Sequence, residues 1–268
     1  MKKAVSITLA ALLLLALCTG CAGGEKKTLR VGASVTPHAE ILAVAKDILA
    51  DKGVELEIVE FTDYVQPNSN VENGQLDANF FQHQPYLDWF NENHGTDIVS
   101  VAAVHYEPMG IYAGKTASLD AIPDGARIAV PNDGTNEARA LLLLEANGVI
   151  TLKSGAGLEA TKLDIAENPH NVEILEVEAA QIALSLRDID LGVINGNYAL
   201  QAGLNVLTDS LAYEAPDSAG AETYANVLCV KAGRENDELI AELVNALHSE
   251  KVRSFINDTY SGAVQPKF

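Results

Sequence analysis

The 268-residue chain carries 37 Asp+Glu against 18 Lys+Arg, a formal net charge of −19, with 48% hydrophobic residues and three cysteines. Nucleic acid is excluded as a natural partner, because phosphate contacts draw on a surplus of Lys and Arg. The same balance offers no basic patch for an anionic membrane surface, while the apolar fraction is ample for one large core or two smaller ones.

Lys2 and Lys3 precede an apolar run from Ala4 to Leu17 and the small residues Thr19 and Gly20, so residues 1–20 read as an export signal. The run is too short for a retained bilayer-spanning helix. Cys21 follows where a bacterial lipobox has its lipidated cysteine, although Cys18 stands where that motif usually has Leu. Two acyl chains on Cys21 satisfy the requirement for stable anchoring and place the protein at the cell membrane, facing the extracytoplasmic side. Ordinary signal cleavage is the alternative. With Cys18 removed and Cys21 acylated, Cys229 has no partner for an intramolecular disulfide. Residues 21–28 form the lipidated cysteine and its tether.

Beyond the tether, strand and helix patterns alternate. Leu29 to Ala33 reads as a strand, His38 to Lys52 as a helix with Ile41, Leu42, Ala45, Ile48 and Leu49 on one face, and Val54 to Phe61 as an alternating strand. Asn68 to Gly74 follows as a short helix, Leu76 to Phe81 as a strand, Pro85 to Asn93 as a helix, and Ile98 to His105 and Met109 to Ala113 as strands. A small helix at Ser118 to Asp120 leads to the strand Arg127 to Val130 and a helix capped by Thr135 and ending at Asn147. Val172 to Val177, Ala179 to Arg187 and Leu191 to Ile194 continue the alternation. A strand from Asn226 to Lys231 and helices Glu235 to His248 and Lys251 to Tyr260 close the chain. The pattern predicts an α/β architecture with mostly parallel sheets. Turn-rich stretches at Tyr106 to Gly110, Pro131 to Thr135 and Asp209 to Thr223 fit two lobes joined by crossing strands.

In such sheets ligands sit beyond the carboxyl ends of the strands. Asp63, Tyr64, Gln66 and Asn68 fall there, as do Gln82 and His83, then Asn132, Thr135 and Asn136, then Asn195 and Asn197. The stretch Ala78 to Leu87 concentrates three aromatic rings, an imidazole and several amides; it suits either an amphipathic ligand or a buried strand running into a helix. Alternation along it puts Asn79 and Phe81 on one face and Phe80 on the other. Arg139 lies beside Ala140 and Leu141 to Leu144, so it either meets a ligand carboxylate near a helix N-terminus or pairs with a surface Glu. Asn195 and Asn197 flank Gly196, as ligand contacts or as a strand-to-helix turn. No nucleophile–base pair, nucleophile elbow or phosphate-binding loop follows a strand, which argues against an enzyme. His38, His83, His94 and His105 show no metal-ligand spacing, so neither a metal nor a cofactor is expected.

Taken in order, Cys21, Thr36-Pro37-His38-Ala39, Asp63-Tyr64-Val65-Gln66-Pro67-Asn68, Asn79-Phe80-Phe81-Gln82-His83, Pro85-Tyr86-Leu87, Val130-Pro131-Asn132-Asp133, Thr135-Asn136 and Val193-Ile194-Asn195 resemble the NlpA/MetQ family of methionine-binding lipoproteins. The resemblance implies a type II periplasmic-binding-protein fold, two α/β lobes joined by two crossing strands that close on a ligand. One lobe would comprise 29–109 plus 229–268, the other 110–228. It also implies a substrate-binding protein that delivers methionine, of either hand, or a close analogue or short methionine peptide, to the permease and ATPase of an ABC importer. Tyr64, Phe81, His83 and Tyr86 match the family's aromatic wall, Arg139 its carboxylate-binding arginine, and Asn195 and Asn226 its ligand-binding asparagines. Asn136 and Asn197 are secondary candidates. Asn226 follows Tyr224-Ala225, where many relatives have Tyr-Val. The competing readings are a metal-binding surface lipoprotein, since Thr36 to Glu40 is similar to a metal-ligand segment of such proteins but lacks their His-rich loop, and an adhesin.

Overall fold

The computed structural model describes residues 27–215 and 222–268. The expected export signal, Cys21 and most of the tether lie outside the described residues, as does part of the Asp209 to Thr223 stretch. Lys27 and Thr28, expected in the tether, are the first residues of strand β1.

The first sheet is built from β1 (Lys27–Ser34), β2 (Val54–Phe61), β3 (Ala78–His83), β4 (Ile98–Tyr106), β12 (Asn226–Lys231) and β13 (Gln265–Pro266), in the order β13-β4-β12-β3-β1-β2. Leu29, Val31 and Ala33 of β1 and Leu56 of β2 are fully buried in one core, alternate residues of β1 facing the same side as a strand requires. Helix Glu40–Ala50 adds Ile41, Leu42, Ala45 and Leu49. It starts later than the sequence predicts: Thr36 is extended (φ −136°, ψ 143°), as a residue preceding proline tends to be, so Val35–Ala39 forms an irregular turn. Two C-terminal helices, Glu238–Leu247 and Glu250–Tyr260, complete this core and are capped by the side chains of Asp237 and Ser249.

The second sheet contains β5 (Gly110–Ala113), β6 (Arg127–Pro131), β9 (Glu173–Val177), β10 (Leu191–Ile194) and β11 (Ser210–Tyr213), in the order β11-β5-β10-β6-β9. Helix Gly134–Ala146 packs Ala138, Ala140, Leu141 and Leu144 into a separate core with Ile128, Val130 and Leu191. A small two-stranded pair, β7 (Thr151–Leu152) with β8 (Ile165–Glu167), the helices Gly196–Gln201 and Val206–Asp209, and β11 all lack a sequence pattern strong enough to announce them.

The sheets are mixed, not mostly parallel. β1 with β2 and β3, and β6 with β9 and β10, run parallel. By contrast β12 is antiparallel to β3 and β4, and β5 is antiparallel to β10 and β11. The cause is the crossing itself: β5 and β12 enter their sheets from the cleft, against neighbours that end there. Residues 226–228, assigned by sequence to the second lobe, are paired within the first sheet. A third apolar cluster spans the cleft, joining Tyr64, Phe81, Tyr86 and Phe90 to Ile194, Tyr198 and Ala199. The two lobes therefore meet face to face.

Candidate ligand-binding site

Between the lobes lies a pocket into which the strand ends converge. Tyr64, Phe81, His83, Tyr86, Arg139, Asn195 and Asn226 all line it, and so do Asn136 and Asn197. Gln82, Glu107 and Gly196 complete the wall. Strict alternation would have turned Gln82 away from Phe81 and His83. Opposite β3, however, Val227 pairs with Gln82 and Leu228 with Phe80, leaving Phe81 as the extra residue of a β-bulge. A bulge re-aims the side chains around it: Phe81, Gln82 and His83 all border the pocket, the Gln82 amide turning to the face of Asn79, where it bonds Asn68 and Asn79, while Phe80 stays in the first-lobe core.

Rings make one end of the pocket. Tyr64 lies 5.8 Å from Phe81 and 5.7 Å from Tyr86, and Phe81 lies 6.0 Å from Tyr86, all centroid to centroid. The Tyr86 hydroxyl donates to the Tyr64 carbonyl at 3.1 Å, and the Tyr64 hydroxyl reaches across the cleft to Asn197 Oδ1 at 2.6 Å. His83 closes β3 and caps the helix Gln84–His94: its Nδ1 accepts from the Tyr86 N–H at 3.2 Å. That bond fixes the tautomer, because a ring nitrogen that accepts carries no proton. Nε2–H then donates to Asn136 Oδ1 at 3.2 Å, a second link between the lobes. Burial, reinforced by the Arg139 charge, lowers the His83 pKa to about 3.

Amides and charges make the other end. Asp133, not Thr135, caps the helix Gly134–Ala146, its Oδ1 accepting from the Asn136 N–H at 3.0 Å and from Asn136 Nδ2 at 2.9 Å. The Thr135 hydroxyl itself donates to Asp133. Asn136 Oδ1 also accepts from Asn195 Nδ2 at 2.8 Å. The Asn195 Oδ1 and Asn197 Nδ2 atoms are buried and have no hydrogen-bond partner among the described residues. Such atoms cost about 1–3 kcal/mol each unless something meets them.

Arg139 is buried, 4% exposed, but neither sequence reading describes its partner. Its Nε and Nη2 donate side by side to Glu214, at 2.7 and 2.6 Å, and Nη2 also donates to the Glu107 carbonyl at 3.0 Å. The Tyr224 ring lies 4.1 Å over the guanidinium, while Tyr106 Oη and the Met109 N–H donate to Glu214. Burial works against the Arg139 charge, yet Glu214 outweighs it and raises the pKa. The Glu214 carboxyl is likewise pushed up by burial but held below its ordinary value by Arg139. Glu214 stands 75 residues from Arg139 and carries no local sequence signal. Glu107 was detectable in principle as a lone acid in the Tyr106 to Gly110 crossing.

Glu107 is 5% exposed, and burial raises its pKa, with the Arg139 charge pulling the other way. A Cβ on Gly196 would come within 2.6 Å of Glu107 Cβ, so only glycine allows this approach. The remaining sequence candidates do not line the pocket. Asp63 accepts from the Val65 and Gln66 N–H groups at the start of helix Gln66–Glu72, Asn68 joins Asn79 and Gln82 in a buried amide cluster, and Asn132 is exposed. Among the described residues, His38, His105 and Glu107 bring potential metal-ligand atoms within 4.8 Å of one another. No described helix is long and apolar enough to cross a membrane.

A family model described as NlpA lipoprotein matches residues 29–268. The membrane lipoprotein TpN32 of Treponema pallidum is 44% identical over 252 residues, 93% of this chain and 92% of its own length. The D-methionine-binding lipoprotein MetQ of Escherichia coli K12 is 40% identical over 248 residues, 91% and 90% of the two chains. A solved structure of a nutrient-binding protein from Burkholderia cenocepacia bound to methionine superposes with a TM-score of 0.86 at 43% identity, covering 90% of this chain and all of that one.

Proposed function

The chain belongs to the NlpA lipoprotein family, and from that premise we propose that it captures methionine between its lobes and hands it to the permease and ATPase of an ABC importer. The observation that carries the reading is the division of the pocket. Rings gather at one end, and at the other an arginine, a carboxylate and unpartnered amide atoms occupy the same wall. A buried zwitterion needs both charges met, since each ion otherwise costs several kcal/mol of desolvation. Arg139 and the Asn197 Nδ2 donor suit the carboxylate; Glu107 and Asn195 Oδ1 suit the ammonium. Tyr64, Phe81 and Tyr86 suit a thioether, whose ring contacts contribute about 0.3–1.5 kcal/mol each. Asn226 and Asn136 hold these groups in place through bonds to His38 and His83.

In this reading lipid on Cys21 holds the protein to the membrane on its extracytoplasmic side, and it binds without turning its ligand over; membership of a lipoprotein family supports the anchor. The lobes divide at the two crossings, as 27–109 plus 226–268 and 110–225. Calorimetry on protein unfolded and refolded to strip co-purified ligand tests the reading. Saturable one-to-one binding of methionine, far stronger than that of alanine or glutamate, is the expected result; no heat with either enantiomer while another amino acid binds would sink it.

A further inference from the structure

His38 and His105 sit directly behind Glu107 and belong to neither wall of the pocket. His38 comes from the irregular turn Val35–Ala39 and His105 from the end of β4, and both are essentially inaccessible, 1% and 0% exposed. Their ring centroids are 4.8 Å apart, and each packs edge-on against Phe80, at 4.8 and 5.2 Å. His105 Nε2 lies 2.6 Å from Glu107 Oε1. His38 Nε2 lies 2.9 Å from Asn226 Oδ1 and 3.4 Å from the same Glu107 oxygen. Both Nδ1 atoms are buried without a hydrogen-bond partner among the described residues.

The orphaned Nδ1 atoms settle where the protons are. A neutral imidazole has one N–H and one lone pair. Placing the proton on Nδ1 would bury a donor with no acceptor and would leave a lone pair on Nε2 facing Glu107 Oε1, and in His38 the Asn226 oxygen as well. Each ring therefore carries its proton on Nε2 and remains uncharged, and burial lowers the two pKa values to about 4 and about 3. Arg139 does not neutralise Glu107 either: its Nη2 donates to the Glu107 carbonyl, and its charge is matched by Glu214. Glu107 accepts hydrogen bonds from uncharged groups on a pocket wall, and the Arg139 guanidinium near it is itself paired with Glu214.

We infer that His38 and His105 are positioning residues: His105 pins the Glu107 carboxylate toward the pocket through its Nε2–H, while His38, tied by its own Nε2–H to Asn226 Oδ1, backs the same carboxylate oxygen, and together they leave the carboxylate for the ammonium group of the bound amino acid. The inference rests on the amino-acid reading of the site. It makes the histidines responsible for recognising the ammonium, and not the side chain or the carboxylate of the ligand.

Calorimetry of the full mature chain with L-methionine and with 4-(methylthio)butanoate, the same molecule without its amino group, separates these roles. His105→Leu should weaken methionine at least tenfold while changing the des-amino compound less than twofold. His105→Gln, whose amide can place an N–H near the Nε2–H position, should recover most of the lost methionine affinity, and His38→Gln should behave likewise relative to His38→Leu. Equal loss of both ligands in correctly folded leucine variants, checked by circular dichroism, would overturn the inference, as would no loss of either. If the leucine variants do not fold, the glutamine variants decide: an affinity for methionine reduced as far as in Glu107→Ala overturns it. A stoichiometric divalent metal in the wild-type protein, lost in both glutamine variants, would overturn it too. Wild-type protein that binds neither compound removes the amino-acid reading itself, a failure distinguishable from all of these.

Discussion

The two ends of the pocket differ in how far their groups are satisfied. At the aromatic end the hydroxyls of Tyr64 and Tyr86 and both nitrogens of His83 have partners inside the protein. At the polar end Asn195 Oδ1 and Asn197 Nδ2 have none among the described residues, and Glu107 accepts from the uncharged His105 ring. The contrast assigns the work. A satisfied, ring-lined surface offers shape and polarisability, which discriminate weakly between side chains of similar size; unsatisfied buried polar atoms reject any ligand that fails to meet them. Selection for an amino acid as such therefore comes from the second end, and selection for its side chain from the first.

Removing the cation of the polar end tests this contrast most severely. Arg139→Ala should weaken methionine by about a hundredfold or more, in line with the loss of a hydrogen-bonded buried charge. It should also lower the melting temperature, because Glu214 is left as an unpaired buried carboxylate at a cost of about 3–5 kcal/mol. Adding Glu214→Gln should restore much of the stability and none of the binding. Recovery of both together would mean that Arg139 serves the fold alone. Glu107→Gln should come next, at roughly ten- to fiftyfold, with the des-amino ligand scarcely affected. Equal loss of the two ligands would erase the distinction between recognising an ammonium and shaping the pocket.

At the aromatic end the expected effects are smaller and of another kind. Phe81→Leu keeps the site apolar but removes a ring, so methionine should weaken by about two- to tenfold, the equivalent of one sulfur–ring contact. Norleucine, which replaces the sulfur by a methylene, should weaken less. Titrating both ligands into wild-type and variant protein gives the comparison directly, and an identical loss for both would remove the sulfur from the account.

How much of this was legible in the sequence depends on the range of the interaction involved. The strands Val54–Phe61 and Leu191–Ile194 and the pocket positions at strand ends follow from local periodicity, and the order of motifs led to Tyr64, Phe81, His83, Tyr86 and Arg139. What stayed hidden depends on pairing. The β-bulge at Phe81, which turns the Gln82 amide to the face of Asn79, is set by the register of β12, more than 140 residues downstream. Glu214 meets Arg139 only because the chain returns from β11 along the second crossing. The antiparallel strands at the cleft are equally invisible to periodicity, since direction is fixed by which lobe a strand arrives from.

The smallest expected effect is a pH profile, and it separates the two ends by sign. His83, at the aromatic end, has a pKa lowered to about 3, so on the order of one molecule in a thousand is protonated there at pH 6. It should contribute no slope to methionine affinity between pH 6 and 8. Glu107 has its pKa raised by burial, and an ammonium group binds only its ionised form. Ligand binding lowers that pKa and releases any proton the free protein holds, so by linkage affinity must fall as pH drops through the raised value and level off above it. The des-amino ligand, offering no cation, should show no such fall from Glu107. Calorimetry in buffers of different ionisation heat measures the proton release. A wild-type profile that declines toward acid for methionine and disappears in Glu107→Gln would place the pH dependence at the polar end. A decline that survives in that variant would move it elsewhere in the cleft.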